Sequence, residues 1–208
     1  MAFVGQQLRQ VALERSEHTH NRIAFDVRMF SDCICLIAED SVIGAAALVD
    51  SVAYLSLTFA NNRLLLRGGI ARGRHFHSED MVFSEALVEA YELESKIAKY
   101  PRTLVADSVA ALARQEVPSL LRVDVDGMIF VDYLEYCSRQ HRLPDHPYHE
   151  HKASIAAGLT RFAGQPAVVA KYEWLARYHD TKLGELAERP DSRGIIEKRM
   201  YLTDRRAV

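Results

Sequence analysis

The longest apolar stretch of the chain, residues 42–60, constrains the fold more than any other feature. A helix of this length and character can cross a bilayer. However, Asp50 lies in its middle, Ser51 and Ser56 add polarity, and strand-like sequence follows directly. We therefore predict a buried amphipathic helix inside a folded domain. Asp40 or Ser41 is suited to cap its first turn.

Short apolar runs and helical patterns alternate on both sides of this stretch. Residues 22–38 predict two strands that meet at Phe30, Ser31 and Asp32, with the second strand buried in the centre of a sheet. The other predicted elements are a helix at 5–19, a strand and hairpin at 64–77, a helix from Ser84 to about Lys99, a strand and short helix at 102–116, a hairpin turning at Asp126-Gly127, and two helices within 149–187. This order predicts an α/β (α+β) fold with helices packed on a sheet.

Composition limits the classes of partner and the compartment. The formal net charge is -2, which gives no global electrostatic reason to expect binding to nucleic acid or to a membrane. An odd number of cysteines, with Cys33 and Cys35 in an apolar strand, predicts inert core thiols in a reducing compartment. The first ten residues lack the apolar core of a signal peptide. We therefore expect a cytoplasmic protein.

The turn at Asp32 is the strongest local signal for chemistry. A carboxylate at a tight turn between apolar strands is well placed to hold Mg²⁺, which prefers oxygen ligands. The alternative is that Asp32 only satisfies backbone groups of the turn. Arg28 is predicted on the same strand face, where it can read a base edge, hold a phosphate, or form a surface ion pair with Asp26.

A glycine-rich run provides the second group of candidates. Arg67, Arg72 and Arg74 flank Gly68, Gly69 and Gly73 in LLLRGGIARGRHFH, and these glycines predict bulges or close backbone approach. The run matches neither the dinucleotide-binding fingerprint nor a P-loop, so a bulged edge hairpin is the structural alternative. Asp124 and Asp126 imitate the start of a calcium loop, but the remaining ligands are absent and a hairpin is expected.

Longer segments resemble a known family. FSDCICLIAED, together with the segment from LLLRGGI to KYPR, is similar to the class III nucleotidyl cyclase pattern. The resemblance is closer to the Pycsar pyrimidine cyclases, especially in the block FSEALVEAYELESKIAKYPR from Phe83 to Arg102. RVDVDGMIFVDYL and KYEWLARYH look like later parts of that family, so the resemblance covers roughly residues 22–180.

The resemblance implies a class III, ferredoxin-like sheet with helices packed on it. Residues 1–144 would form the catalytic domain, 145–190 a C-terminal helical extension and 191–208 a tail. The implied enzyme is a lyase in which the ribose 3′-hydroxyl of UTP, or less readily CTP, attacks the α-phosphorus and releases pyrophosphate. Two Mn²⁺ or Mg²⁺ ions would assist. The family works as a homodimer whose cyclic nucleotide, such as cUMP, activates a separate effector in anti-phage defence.

The resemblance also assigns roles to individual residues. It implies that Asp32 is the catalytic metal ligand. The implied substrate-binding residues are Arg28, Phe30, Arg67, Met81 and Arg122, with Arg28 and Met81 at base-reading positions and Arg122 near the triphosphate.

The sequence departs from the cyclase pattern in two places. The first metal aspartate belongs on an opening strand, yet no aspartate precedes Asp26. Either the natural start lies upstream or this form lacks one metal ligand. Because one carboxylate would have to hold both metal ions, we expect weak or no turnover by these 208 residues. Val88 and Glu92 stand where purine cyclases place an asparagine and an arginine, which argues against an ordinary purine cyclase and leaves the phosphate charge to Arg67, Arg72 or Arg74. The alternative is a catalytically impaired nucleotide-binding or interaction module.

Overall fold

The long apolar stretch folds as helix α1 (Val42–Asn61), as predicted. A computed structural model describes residues 25–30, 33–77, 82–139 and 146–189, together with Gln6 and Leu202. Ser41 caps α1, since its hydroxyl accepts a hydrogen bond from the backbone N–H of Gly44 at 2.9 Å. By length and composition α1 could cross a membrane, but most of it is buried against the rest of the described chain. The predicted helix at 5–19 and the tail lie outside the described residues, apart from Gln6 and Leu202.

The predicted hairpin before α1 is present. Strands β1 (Phe25–Phe30) and β2 (Cys33–Ala38) pair antiparallel, with Phe30 opposite Cys33. The prediction that β2 is a buried central strand is wrong for the described part of the chain. There, β2 pairs with β1 alone, and Cys33 is exposed while Cys35 is half-buried. Cys33 is therefore not an inert core thiol.

A second sheet contains four short strands. They are β3 (Gly68–Ile70), β6 (Thr103–Val105), β7 (Leu121–Val123) and β8 (Ile129–Val131), arranged in the order β3-β6-β8-β7. The β3–β6 pair is parallel and the other pairs are antiparallel. Strands β4 (His75–His77) and β5 (Val82–Ser84) form a separate hairpin. The described chain thus has a mixed α/β fold with small sheets, in agreement with the predicted fold class.

The parallel strands β3 and β6 are connected by helix α2 (Glu85–Glu92), which continues as a π-helical turn, Leu93–Ile97. Ser84 caps α2 as predicted, accepting from the N–H of Leu87 at 3.0 Å. The predicted apolar face fails at Ile97, which is exposed because the π turn shifts the helical phase. Gly69 allows α2 to approach β3, because a Cβ at this position would collide with the carbonyl of Ala90.

Helices cover the other strands. They are α3 (Asp107–Ala113), α4 (Tyr133–Arg139), α5 (His146–Arg161) and α6 (Pro166–Glu188). The last two match the predicted helical pair, including Pro166 in the first turn of α6. Helix α4 was not predicted, because YLEYCSR follows the apolar strand without a break. The Asp132 carboxylate caps it by accepting from the N–H of Glu135 at 3.1 Å.

The C-terminal helices share one hydrophobic core with the four-stranded sheet. Trp174 and Tyr178 of α6 pack edge-on against Phe130 of β8, with ring centroids 5.7 and 5.6 Å apart. Ser154 of α5 donates a hydrogen bond to the Ala60 carbonyl at the end of α1. A smaller, separate cluster under the β1–β2 hairpin is centred on Leu55 and Phe59 of α1.

Candidate functional site

The β1–β2 hairpin carries the first group of predicted site residues. Phe30 is opposite Cys33, so Ser31 and Asp32 connect the two strands, in line with the prediction that the strands meet at Phe30, Ser31 and Asp32. Asp32 itself lies outside the described residues, as does Met81, and the side chain of Phe30 is not described. Their predicted roles in metal and substrate binding therefore remain predictions.

Arg28 has a carboxylate partner on its own strand. Its Nε donates to Asp26 Oδ2 at 2.7 Å, and both side chains are about two-fifths exposed, 39% and 43%. This is the surface ion pair considered as an alternative to base or phosphate recognition. An exposed pair of this kind contributes about 0–1 kcal/mol. A phosphate that displaced Asp26 from Arg28 would therefore cost the folded protein little free energy.

The arginines around the glycine-rich run are each engaged with a carboxylate. Arg67 donates from Nε to Glu94 Oε1 at 2.5 Å. Arg72 binds Asp40 at 2.6 Å, and Arg74 donates from Nη2 to Glu85 at 2.5 Å. The hydrogen bond from Arg74 lowers the pKa of the Glu85 carboxyl, and the same bond raises the pKa of Arg74. These pairs bind β3 and its following loop to α2 and to the end of β2.

Arg122 is placed differently from the other predicted phosphate ligands. Its guanidinium donates to both oxygens of Glu185, at 2.9 and 2.6 Å, and lies 3.6 Å from Asp132. Burial by itself would lower the pKa of Arg122, but the hydrogen bonds and charge of Glu185 and the charge of Asp132 raise it. Arg122 thus belongs to a polar network between β7 and α6, on an element separate from the hairpin that carries Arg28.

That network is buried and extends around Lys182. The ammonium of Lys182 lies 2.6 Å from Asp132 and 3.0 Å from Glu135, and all three side chains are almost fully buried. Tyr178 donates to Asp132 at 2.6 Å. Burial tends to raise the pKa of Glu135, but hydrogen bonds from Arg189 and the charge of Lys182 lower it overall. These contacts attach α6 to the sheet and to α4. They were missed in the sequence because no local motif links positions so far apart.

A second buried cluster involves histidines on the C-terminal helices. His151 Nε2 is 2.8 Å from the Tyr133 hydroxyl, and His151 Nδ1 is 3.0 Å from His179 Nδ1. Burial, followed by the nearby His179, lowers the pKa of His151 well below its ordinary value. A neutral, fully enclosed imidazole of this kind stabilises packing and has no access to substrate.

Arg102, the last residue of the YPR segment, is buried and also structural. Its guanidinium binds both Asp124 and Asp126, with Nη1 to Asp126 Oδ1 at 3.2 Å. Its Cζ lies 5.7–5.9 Å from the ring centres of Tyr100, Phe130 and Trp174. The hydrogen bonds from Arg102 lower the pKa of Asp126. Asp124 and Asp126, whose sequence resembles the start of a calcium-binding loop, therefore bind Arg102 and connect the start of β6 to the β7–β8 turn.

A cavity of about 940 Å³ separates the β1–β2 hairpin from the four-stranded sheet. Its walls include β2 from Cys33 to Ala38, the chain from Leu65 to Gly73, and one face of α2. Arg67 and Cys33 both line it, so the strand that follows Asp32 and the RGGI strand face one space. The lining is mainly apolar.

Comparisons with family models, curated proteins and solved structures yield no match to this chain. Among the described residues, no group of three or more histidine, cysteine, aspartate or glutamate side chains is arranged to hold a metal ion. The carboxylate nearest to Asp32 in the sequence, Asp26, is already bonded to Arg28. The described residues therefore do not supply a ligand set for two divalent ions, and we derive no catalytic step through a metal.

Proposed function

We propose that the chain is a nucleotidyl cyclase domain that binds UTP, or less readily CTP, and forms the 3′,5′-cyclic nucleotide slowly. The observation that carries the proposal is the register of the β1–β2 hairpin, which leaves Ser31 and Asp32 as the only connection between the strands. The sequence of this turn and the Phe83–Arg102 block resemble the pyrimidine cyclases. As the resemblance implies, this function goes with a homodimer, two divalent ions, a cytoplasmic location and a separate effector.

The hairpin can recognise a nucleotide through Arg28. Its guanidinium is partly exposed and forms an ion pair with the partly exposed Asp26, two residues earlier on the same strand. A triphosphate offers several charged oxygens, which can accept two parallel hydrogen bonds from a guanidinium, a stronger arrangement than one screened carboxylate. Arg67 is paired in a similar way at the start of β3, where it lines the cavity. Both residues could exchange a surface carboxylate for substrate.

The alternative is a nucleotide-binding or interaction module without turnover. It is favoured by the ion pairs, because Arg28, Arg67 and Arg122 are each engaged with a carboxylate of the chain itself. Val88 and Glu92 of α2, at the positions where purine cyclases resemble this chain but carry an asparagine and an arginine, are exposed. Glu92 is paired with Lys96 and carries the wrong charge to stabilise a transferring phosphate.

Product analysis separates the two functions. The full chain is incubated with each of the four ribonucleoside triphosphates and MnCl₂, and products are resolved by chromatography. We expect cUMP and pyrophosphate from UTP at a low rate, with less product from CTP. A purine cyclic nucleotide as sole product contradicts the proposal. UTP binding without any product supports the impaired module.

Binding measurements identify the residues involved. We expect Arg28→Ala to weaken UTP binding about three- to tenfold, since it removes one phosphate or base contact. Arg114→Ala is the matched control, because Arg114 is exposed at the end of α3 and makes no ion pair in the described structure. Equal effects of the two substitutions would remove Arg28 from the site.

A further inference from the structure

Strand β2 presents two thiols on one of its faces. Ile34 and Leu36 pack against the smaller apolar cluster of α1. Successive side chains of a strand point to opposite faces, so Cys33 and Cys35 share the face turned away from α1. Both thiols are free, and Cys33 is exposed while Cys35 is half-buried. The outer face of the β1–β2 hairpin thus carries a pair of thiols.

The two thiols are close enough for the charge of one to act on the other. Burial is the main reason why the pKa of the Cys35 thiol is raised, and the charges of Asp26 and Cys33 raise it further, whereas Arg28 opposes them. Arg28 is directly opposite Cys35 in the register of the hairpin. Because two neighbouring thiolates repel each other, a cation that binds both would favour their charged forms.

Strand geometry disfavours a disulfide between these two thiols. Each residue advances a strand by about 3.2–3.4 Å, so the Cα atoms of Cys33 and Cys35 are separated by roughly 6.4–6.8 Å. That separation is the upper end of the range for disulfides, and two Cα–Cβ bonds on the same face of a strand run side by side. We therefore expect the pair to remain as two thiols.

The same spacing suits an ion that binds one sulfur on each side. With metal–sulfur bonds of roughly 2.3 Å, a linear two-coordinate ion joins sulfurs that are about 4.6 Å apart. Side chains in strands lean along the strand direction, and each sulfur needs to lean only about 1 Å toward the other to reach this separation. The pair can therefore chelate such an ion without a change in the backbone.

The number and kind of ligands select the class of ion. Structural zinc sites use four ligands, and Mg²⁺ and Ca²⁺ use oxygen. Within the described part of the chain, no third histidine, cysteine, aspartate or glutamate completes a group with Cys33 and Cys35. Soft thiolates select Cu⁺, for which two of them are sufficient. The pair therefore favours a soft univalent cation over the harder divalent ions.

We propose that Cys33 and Cys35 form a binding site for a soft univalent cation of the Cu⁺ type, held by two thiolates on the outer face of the β1–β2 hairpin. Binding releases the two thiol protons and leaves the oxidation states of copper and sulfur unchanged. The resulting complex carries one net negative charge, to which Arg28, opposite Cys35, offers a positive charge. The proposal does not depend on the nucleotide chemistry.

A copper-transfer titration tests the site. The full chain is reduced, separated from the reductant without air and titrated into the coloured complex of Cu⁺ with bicinchoninate, whose colour fades as the protein takes up the ion. We expect one Cu⁺ per chain. Cys33→Ser and Cys35→Ser should each weaken binding about a hundredfold or more, because either substitution removes one of two linked ligands. Cys137→Ala is the control and should bind normally, because Cys137 is buried in the main core.

Thiol labelling locates the ion in the unmodified chain. The protein is treated with iodoacetamide with and without one equivalent of Cu⁺, and the modified cysteines are quantified by mass spectrometry. We expect Cu⁺ to slow the alkylation of both Cys33 and Cys35 at least about tenfold, because a metal-bound thiolate is not available as a nucleophile. No nucleotide is present in either experiment, so this proposal and the proposed function can fail separately.

Three outcomes overturn the copper proposal. The first is equal Cu⁺ affinity of the unmodified chain and of both serine variants. The second is protection of only one of the two thiols from alkylation. The third is one Cu⁺ per two chains, measured by size-exclusion chromatography with metal analysis, which would assign the ion to thiols from two copies of the chain.

Discussion

Trp174 Nε1 donates a hydrogen bond of 3.0 Å to Asp124 Oδ2, the carboxylate that also binds the buried guanidinium of Arg102. The indole lies beside the same guanidinium, with Arg102 Cζ 5.8 Å from the ring centre. This contact joins α6 to the β7–β8 turn and, through Arg102, to β6. Removing one member of a buried, paired cluster leaves the others desolvated without a partner.

Arg102→Met should therefore lower the free energy of unfolding by about 3–5 kcal/mol, because Asp124 would lose its buried cationic partner. Urea denaturation followed by Trp174 fluorescence measures the effect. The control Arg114→Met should change stability by less than about 0.5 kcal/mol, because Arg114 is exposed. A loss for Arg102→Met no larger than that of the control would show that the buried cluster contributes nothing to stability.

Gly69→Ala should destabilise the protein by about 1–3 kcal/mol, because the added methyl group would displace α2 from β3. Gly164→Ala is the matched control. A Cβ there meets nothing within 4 Å, and the substitution should be neutral or stabilising by up to about 1 kcal/mol. Thermal unfolding of both variants gives the comparison. Equal melting temperatures would contradict the close approach of α2 to β3.

The stability of the folded protein should depend on pH because of the buried His151. The pKa of His151 is lowered below 6.5 in the folded state, so the unfolded chain binds protons first as the pH falls. Stability should be fully retained above pH 6.5 and should decrease below it, by at most about 1.4 kcal/mol per pH unit for this group. The carboxylates Glu135, Glu185 and Asp126, whose pKa values are lowered, affect stability only at more acidic pH.

Denaturation curves at pH 7.5 and 5.5 test this dependence. His151→Gln keeps hydrogen-bonding capacity and does not titrate, so the variant should lose most of the difference between the two curves even if it is less stable overall. His149→Gln is the control, since His149 is partly exposed on the same helix. An unchanged difference in His151→Gln would assign the pH dependence to another group.

Much of the helical structure was accessible from local sequence patterns. Ser41 and Ser84 have the side chains that cap helices, and both caps are present. Pro166 marked the start of α6. Helix α4 was missed because its start depends on the carboxylate of Asp132, which also bonds to Tyr178 on a distant helix.

The candidate site was less predictable because ion pairs depend on the tertiary fold. Nothing in the local sequence links Arg67 to Glu94 or Arg122 to Glu185. From the sequence, these arginines were therefore interpreted as available to bind phosphate. The apolar pattern of CICLI was typical of a central strand, but a pattern of one strand does not reveal whether a neighbour is present. For Asp32 the predicted hairpin was correct, whereas its role in metal binding remains a prediction.

The exposure of Cys33 leads to a prediction for thiol labelling. Iodoacetamide should modify Cys33 first, because it is exposed, and Cys137 only after unfolding, because it is buried. Cys35 should react more slowly than Cys33, since burial raises the pKa of its thiol. Mass spectrometry of peptides after timed labelling gives the order. Equal rates for Cys33 and Cys137 in the folded protein would contradict the placement of β2 at the surface.

The most direct test of the central claim compares UTP turnover by the unmodified chain, by Asp32→Ala and by the control Asp107→Ala, whose aspartate is exposed on α3. Each protein is incubated with UTP and MnCl₂, and cUMP is quantified by chromatography with mass detection. We predict slow cUMP formation that Asp107→Ala retains and Asp32→Ala abolishes. Equal cUMP formation by Asp32→Ala, or neither binding nor turnover of UTP by the unmodified chain, would contradict the proposed function.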